Sequence, residues 1–168
     1  MVDSLYYTEN YFKDHIKSKN IQNVSNLTII SINIANLFSK LRFFKVFLNN
    51  ITTSENQPDI IVVTETHISE STNTGYSKEE LRQIIPGYNF YHVGRETKKG
   101  GGVGVFVSQK LECETKVLEI ARFREEQFEN VVIKLPNIIK TGKFNTNKSI
   151  IIAAIYRQPN RELRSIHE

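Results

Sequence analysis

The sequence predicts one α/β (α+β) domain, and three observations carry that reading. Two apolar runs, "LTIISINI" (27 to 34) and "DIIVV" (59 to 63), read as strands, the second with the character of one buried on both faces. Between them, "NLFSKLRFFKVFLNNI" (36 to 51) changes period, so that Leu37, Leu41, Phe44, Leu48 and Ile51 fall on one helical stripe. Further strand-like runs follow with few helices among them, and 168 residues at 39% hydrophobic and 24% charged suit a single soluble domain.

Residues 1 to 25 are polar and Asn/Lys-rich, with Leu5, Phe12 and Ile16 as scattered apolar points. They are expected to form a leader with one short helix, ahead of a domain spanning 26 to 168. The first strand (27 to 34) leads to Asn36, an N-cap for the helix. Pro58 stops what precedes it and Asp59 opens the second strand, which completes a βαβ unit whose strands should be parallel neighbours with both carboxyl ends on one edge. After a polar loop (69 to 80), "EELRQIIPGY" reads as a short helix closed by Pro86-Gly87, and "YNFYHV" as a strand. "GRETKKGGG" turns the chain into "VGVFVSQ" (103 to 109), an alternating strand. "QFENVVIKL" (127 to 135) and "SIIIAAIY" (149 to 156) are two more strands, separated by the turn-rich "PNIIKTGKFNTNK".

Charge and cysteine content narrow the setting. Twenty-two Lys and Arg against 18 Asp and Glu give a net charge of +4 and a pI near 9.1, compatible with a nucleic-acid partner. The lone cysteine, Cys113, excludes an intrachain disulfide framework and fits a reducing compartment. "MVDSLYYTEN" has no signal-peptide pattern, and "SIIIAAIY" is far short of the roughly 20 residues that span a bilayer. The expectation is an intracellular protein with no membrane partner.

One acid stands out. Glu65 follows a buried strand, and parallel pairing would set it beside Asn33 on the carboxyl edge, where open α/β sheets keep their sites. An amide beside a carboxylate suits a hydrated divalent cation, because Mg²⁺ prefers hard oxygens and takes only one or two protein carboxylates. The plainer alternative is an Asn–Glu hydrogen bond fastening two strand ends. "KKGGGVGVF" resembles a phosphate loop superficially, but its glycines precede a strand and no helix follows. It reads instead as a tight hairpin using positive φ, with Lys98 and Lys99 at its tip. In "IYRQPN", Tyr156 is either an amphipathic cap on the core or a phosphate contact, with Arg157 and Asn160 as further donors.

Taken in order, "INIANL", "PDIIVVTETHI", "GYNFYHVGRETKKGGGVGVFVS" and "IYRQPN" closely resemble the endonuclease/exonuclease/phosphatase superfamily, and within it the apurinic-type endonuclease domain of LINE-like (non-LTR) retrotransposons. The resemblance spans about residues 27 to 160. It implies that Asn33 is the active-site Asn after the first strand and that Glu65 is the metal-binding Glu, with Thr66 and His67 completing an "ETH" signature. Tyr156 resembles the tyrosine that contacts the scissile phosphate; Asn160 resembles the Asn after the Tyr–Pro motif, offset by one residue; Arg95 and Gly101-Gly102 match the retrotransposon branch. Implied with them are Mg²⁺ (or Mn²⁺) as cofactor, DNA as partner, in-line hydrolysis of a phosphodiester, and a nuclear site of action on chromosomal DNA. In retrotransposons such a nick primes reverse transcription, so a reverse transcriptase in a longer polyprotein is a further implied partner.

The chain also departs from that pattern. Ala35 stands where repair-type relatives often carry Asp or Asn. No "GDFN"-like motif with the general-base Asp, and no "SDH" with the catalytic His, occurs in the 168 residues. The resulting expectation is the first sheet and flanking helices of a four-layer α/β-sandwich with the second sheet missing from this chain, and so an apolar inner face of roughly 400 Å², as large as the largest patches monomers tolerate. One function follows first: the N-terminal part of a metal-dependent DNA endonuclease, inactive until its C-terminal half is restored. The alternatives are a non-catalytic retroelement remnant with weak DNA binding, and a phosphatase-type relative acting on lipid or small-molecule phosphate esters.

Overall fold

The computed structural model describes residues 27–52, 57–68, 76–94, 100–111, 116–117, 128–139 and 148–157. The expected leader, Arg95, Lys98, Lys99, Cys113 and Asn160 lie outside the described residues.

The βαβ unit forms as its sequence pattern dictates. Strand β1 (Ile29–Asn33) leads to helix α1 (Leu37–Ile51) and then to β2 (Ile60–Thr64), which lies parallel to β1 with Asn33 level with Thr64. Asn36 caps α1, its side chain accepting from Ser39 N at 3.0 Å, and thereby satisfies one of the amides that a helix start leaves unpaired. Leu37, Phe44, Leu48 and Ile51 of the predicted stripe are buried, with Leu41 packed against them. Helix α2 (Lys78–Arg82) is shorter than expected, ending four residues ahead of Pro86. A capping box sets its start: Ser77 Oγ accepts from Glu80 N at 3.2 Å and Glu80 Oε2 from Ser77 N at 2.8 Å. Among the described residues, no helix is long and apolar enough to cross a membrane.

Strands β3 (Tyr88–Val93) and β4 (Val103–Ser108) form the expected antiparallel hairpin, and the first sheet runs β1-β2-β4-β3. Alternation along β4 sends Phe106 to the helix side and Val103, Val105 and Val107 to the other. On the helix side Phe106 stacks on Phe90 at 4.2 Å and meets Phe44 and Tyr88 at 5.8 and 6.4 Å between ring centroids. Gly104 makes room for that stack, since a Cβ there would run into the Phe90 ring.

The valine side of β4 corrects one expectation. The last strands do not extend the first sheet, and a second sheet is not wholly missing from the chain. Strands β5 (Lys116–Val117), β6 (Phe128–Ile139) and β7 (Lys148–Arg157) form a separate antiparallel sheet in the order β5-β6-β7. Its Val131, Ile133, Leu135 and Ala154 pack against Ile60, Val103, Val105 and Val107 of the first sheet. The large inner face is therefore covered within the chain, sheet on sheet, while helix α1 covers the outer face. The run "IIIAAI" misled because it reads as buried on both faces, whereas in β7 it alternates. Ile152 and Ala154 face the inner sheet, and Ile151 and Ile155 are each 61% exposed.

Tyr88, at the start of β3, ties that strand across β4 to the residues leading into β2. Its hydroxyl donates to Pro58 O at 2.7 Å, and burial pushes the phenol up to about 12, with Asp59 adding to the rise against a hydrogen bond from Gln57. A folded value above the unfolded one means that the folded state holds its proton longer, so stability is unaffected below about pH 10 and falls as pH climbs from there toward 12. An alkaline titration should show one tyrosine ionising together with loss of the fold, and Tyr88→Phe should remove that part of the alkaline limb. If every tyrosine ionises near its ordinary value while the fold persists, the burial of Tyr88 is disproved.

Candidate active site

Three elements deliver the site. Asn33 ends β1, Glu65 follows β2 by one residue, and Tyr156 lies near the end of β7 in the other sheet. Asn33 Nδ2 donates to Glu65 Oε1 at 2.9 Å and Tyr156 Oη donates to the same oxygen at 2.8 Å. Residues 32 and 91 positions apart thus meet on one carboxylate. The amide of Asn33 is itself oriented, because its Oδ1 accepts from Ala35 N at 3.2 Å. Ala35 contributes through its backbone.

The backbone around Glu65 is unusual. Ala35 (φ 46°), Asn36 (φ 85°), Glu65 (φ 55°) and His67 (φ 56°) all adopt positive φ without being glycine. Such residues persist only where their surroundings hold them, and they cluster at ligand sites. Here the loops hold each other: Asn36 N donates to Glu65 O at 2.7 Å, Leu37 N to Thr66 O at 3.0 Å, Thr66 N to Gly102 O at 3.2 Å and His67 N to Gly101 O at 2.8 Å. The "GGG" hairpin therefore serves as a brace beneath the "ETH" segment rather than as a phosphate loop, with Gly100, Gly101 and Gly102 at φ 87°, 70° and 89°.

Gly102 is the tightest point of that brace. A Cβ on it would collide with Oγ1 of the fully buried Thr66, and φ is positive as well. Gly102→Ala is expected to lose about 2–5 kcal/mol, combining roughly 1–2 for the left-handed backbone with 1–3 for overpacking. A urea midpoint unchanged from the wild type would contradict this packing.

Electrostatics favour the ionised acid. The hydrogen bond from Asn33 and then that from Tyr156 hold the Glu65 carboxyl below its ordinary value; partial burial opposes them, and the charge of His67 adds a smaller push in the same direction. Both hydrogen bonds land on Oε1, which leaves Oε2 with no donor among the described residues. Among those residues no group of three or more His, Cys, Asp or Glu gathers. One pinned, ionised carboxylate with an open oxygen fits the donor set that Mg²⁺ takes from proteins.

The structure brings Asn33, Glu65 and Tyr156 together as the sequence led one to expect. Arg157 is exposed, and strand alternation puts it on the opposite face of β7 from Tyr156, away from the groups gathered on Glu65. Sequence reasoning missed Glu129 on β6, a buried acid whose Oε2 accepts from Gly102 N at 2.6 Å. The available signal was its position as a lone acid inside the strand "QFENVVIKL".

No family model matches the chain, and no curated protein does. Solved structures do. The AP endonuclease LMAP from Leishmania major aligns with 76% of this chain and 39% of its own at 14% identity and a TM-score of 0.52. The APE2 catalytic domain from Xenopus laevis aligns with 76% of this chain and 44% of its own at 15% identity and a TM-score of 0.48. An AP endonuclease from Archaeoglobus fulgidus aligns with 63% of this chain and 37% of its own at 21% identity and a TM-score of 0.40. The Leishmania likeness shows the fold, a mixed sheet with flanking helices. The chain spans less than half the length of each of these structures.

Proposed function

We propose that the chain is the N-terminal part of a metal-dependent DNA endonuclease of the LINE-like retrotransposon type. The observation that carries this reading is the meeting of Asn33, Glu65 and Tyr156 on one carboxylate at the rim shared by two sheets. In this reading Glu65 holds Mg²⁺ or Mn²⁺, and the bound cation supplies charge neutralisation for a phosphodiester. Asn33 fixes the carboxylate and keeps it ionised. Tyr156, its hydroxyl already on Glu65, is placed to turn that donor toward a non-bridging phosphate oxygen when substrate arrives. The residue that activates water is expected from a C-terminal segment, which would also cover the exposed Ile151 and Ile155 of β7. DNA would be the substrate, with Arg95 and Asn160 as backbone contacts, in chromosomal DNA within the nucleus. The nick would then prime a reverse transcriptase carried on the same polyprotein.

A supercoiled-plasmid assay with Mg²⁺ tests the reading. The 168-residue chain should not nick, and a chain extended to include an Asp-Phe-Asn and a Ser-Asp-His segment should. Extended protein without Mg²⁺-dependent nicking would overturn it.

A further inference from the structure

The buried acid Glu129 has no part in the chemistry described so far, yet its placement ties it to the site. It belongs to the second sheet, where it pairs directly across from Tyr156. Its side chain is only 5% exposed and reaches to the first sheet's hairpin, where Oε2 accepts from Gly102 N at 2.6 Å. Gly102 O in turn accepts from Thr66 N, the residue after Glu65, and Gly101 O from His67 N. The path from the Glu129 carboxylate to the backbone beside Glu65 is two hydrogen bonds long. A short bond from a backbone amide to a carboxylate is among the stronger ones a protein makes, and burial strengthens it further. It grips the hairpin just where Glu65 and His67 need holding in positive φ.

We infer that Glu129 is a positioning residue: it fixes the Gly101-Gly102 turn to the strand that carries Tyr156, and so sets the Glu65 carboxylate against the Tyr156 hydroxyl. This rests on Glu65 being the cation ligand. The residue acts through Gly102 and touches neither metal nor substrate.

The test uses Tb³⁺, a hard cation whose emission is excited through a nearby tyrosine, on a chain that has no tryptophan. Wild type should give emission that Tyr156→Phe and Glu65→Ala both remove. Glu129→Ala should weaken Tb³⁺ binding about 10–100-fold, as loss of an outer-shell partner commonly does, and should expose the Gly102 amide to hydrogen exchange. Glu129→Gln keeps an oxygen acceptor for that amide and should restore most of both. A purely structural residue would lower the melting temperature without changing Tb³⁺ affinity per folded molecule, and that outcome would overturn the inference. If Glu129→Ala does not fold, the glutamine variant carries the test: retained Gly102 protection and affinity support it, and weakened affinity with intact protection overturns it. Absence of Tyr156-dependent emission in the wild type would instead refute Glu65 as the ligand, while Gly102 exchange still reports the Glu129 anchor.

Discussion

Glu65→Ala in the extended, nicking-competent protein should lower Mg²⁺-dependent cleavage by at least about 10²–10³-fold, the usual cost of deleting one electrostatic contributor to a charged transition state. Stability should change far less. Glu65 is partly exposed, and loss of its two side-chain hydrogen bonds is worth below about 2 kcal/mol. A drop in rate of that size with a nearly unchanged melting curve therefore separates chemistry from folding. Glu65→Gln sharpens the separation, because an amide oxygen can still accept from Asn33 and Tyr156 while the charge that would hold a cation is gone. Its nicking should be as poor as that of the alanine variant. Acid stability gives a second readout. A carboxyl held below its ordinary value contributes stability above the unfolded carboxylate range and loses it as pH falls through the folded value, so the glutamine variant should lack that portion of the acid limb. Nicking that survives Glu65→Ala would refute the assignment.

Phe106→Ala is expected to cost about 3–5 kcal/mol, a large share of the 5–15 kcal/mol that typically holds a domain together. The ring is fully buried where β4 faces helix α1, in contact with Phe44, Tyr88 and Phe90. Removing it leaves a cavity between rigid aromatic neighbours that cannot collapse without moving the sheet. Urea denaturation followed by far-UV circular dichroism should show the loss directly, or show a chain already unfolded in buffer. Phe43→Ala is the matched control: that ring sits on the outer face of α1 at 71% exposure, and its removal should stay within about 0.5 kcal/mol. Equal effects from the two variants would mean that the core lies elsewhere.

Much of this site was legible because local pattern and long-range placement agree in the first half of the chain. The stripe from Leu37 to Ile51 forces a helix between two apolar strands, the crossover forces those strands parallel, and parallel strands put Asn33 beside Glu65. Tyr156 was legible only through motif resemblance, since nothing in its own strand says that it meets a residue 91 positions away. Sheet membership was not legible. The runs "VGVFV" and "IIIAAI" look alike in composition, yet the first is buried on both faces and the second on one. Only the pairing of β6 with β7, and of neither with β4, distinguishes them. The two-residue β5 was too short to leave a period. Positive φ at Glu65 and His67 is likewise invisible in residue type, because it accompanies the hydrogen bonds of Thr66 N and His67 N to the distant Gly102 and Gly101 rather than any local preference.

The central claim is that Asn33, Glu65 and Tyr156 present one carboxylate to a hard cation. Soaking crystals of the chain with Mn²⁺ and locating the ion by its anomalous scattering tests it most directly. A peak is expected in direct contact with the Glu65 carboxylate, on the side away from Asn33 and Tyr156, and it should vanish in Glu65→Gln. A peak elsewhere on the molecule, or one that persists in Glu65→Gln, would contradict it.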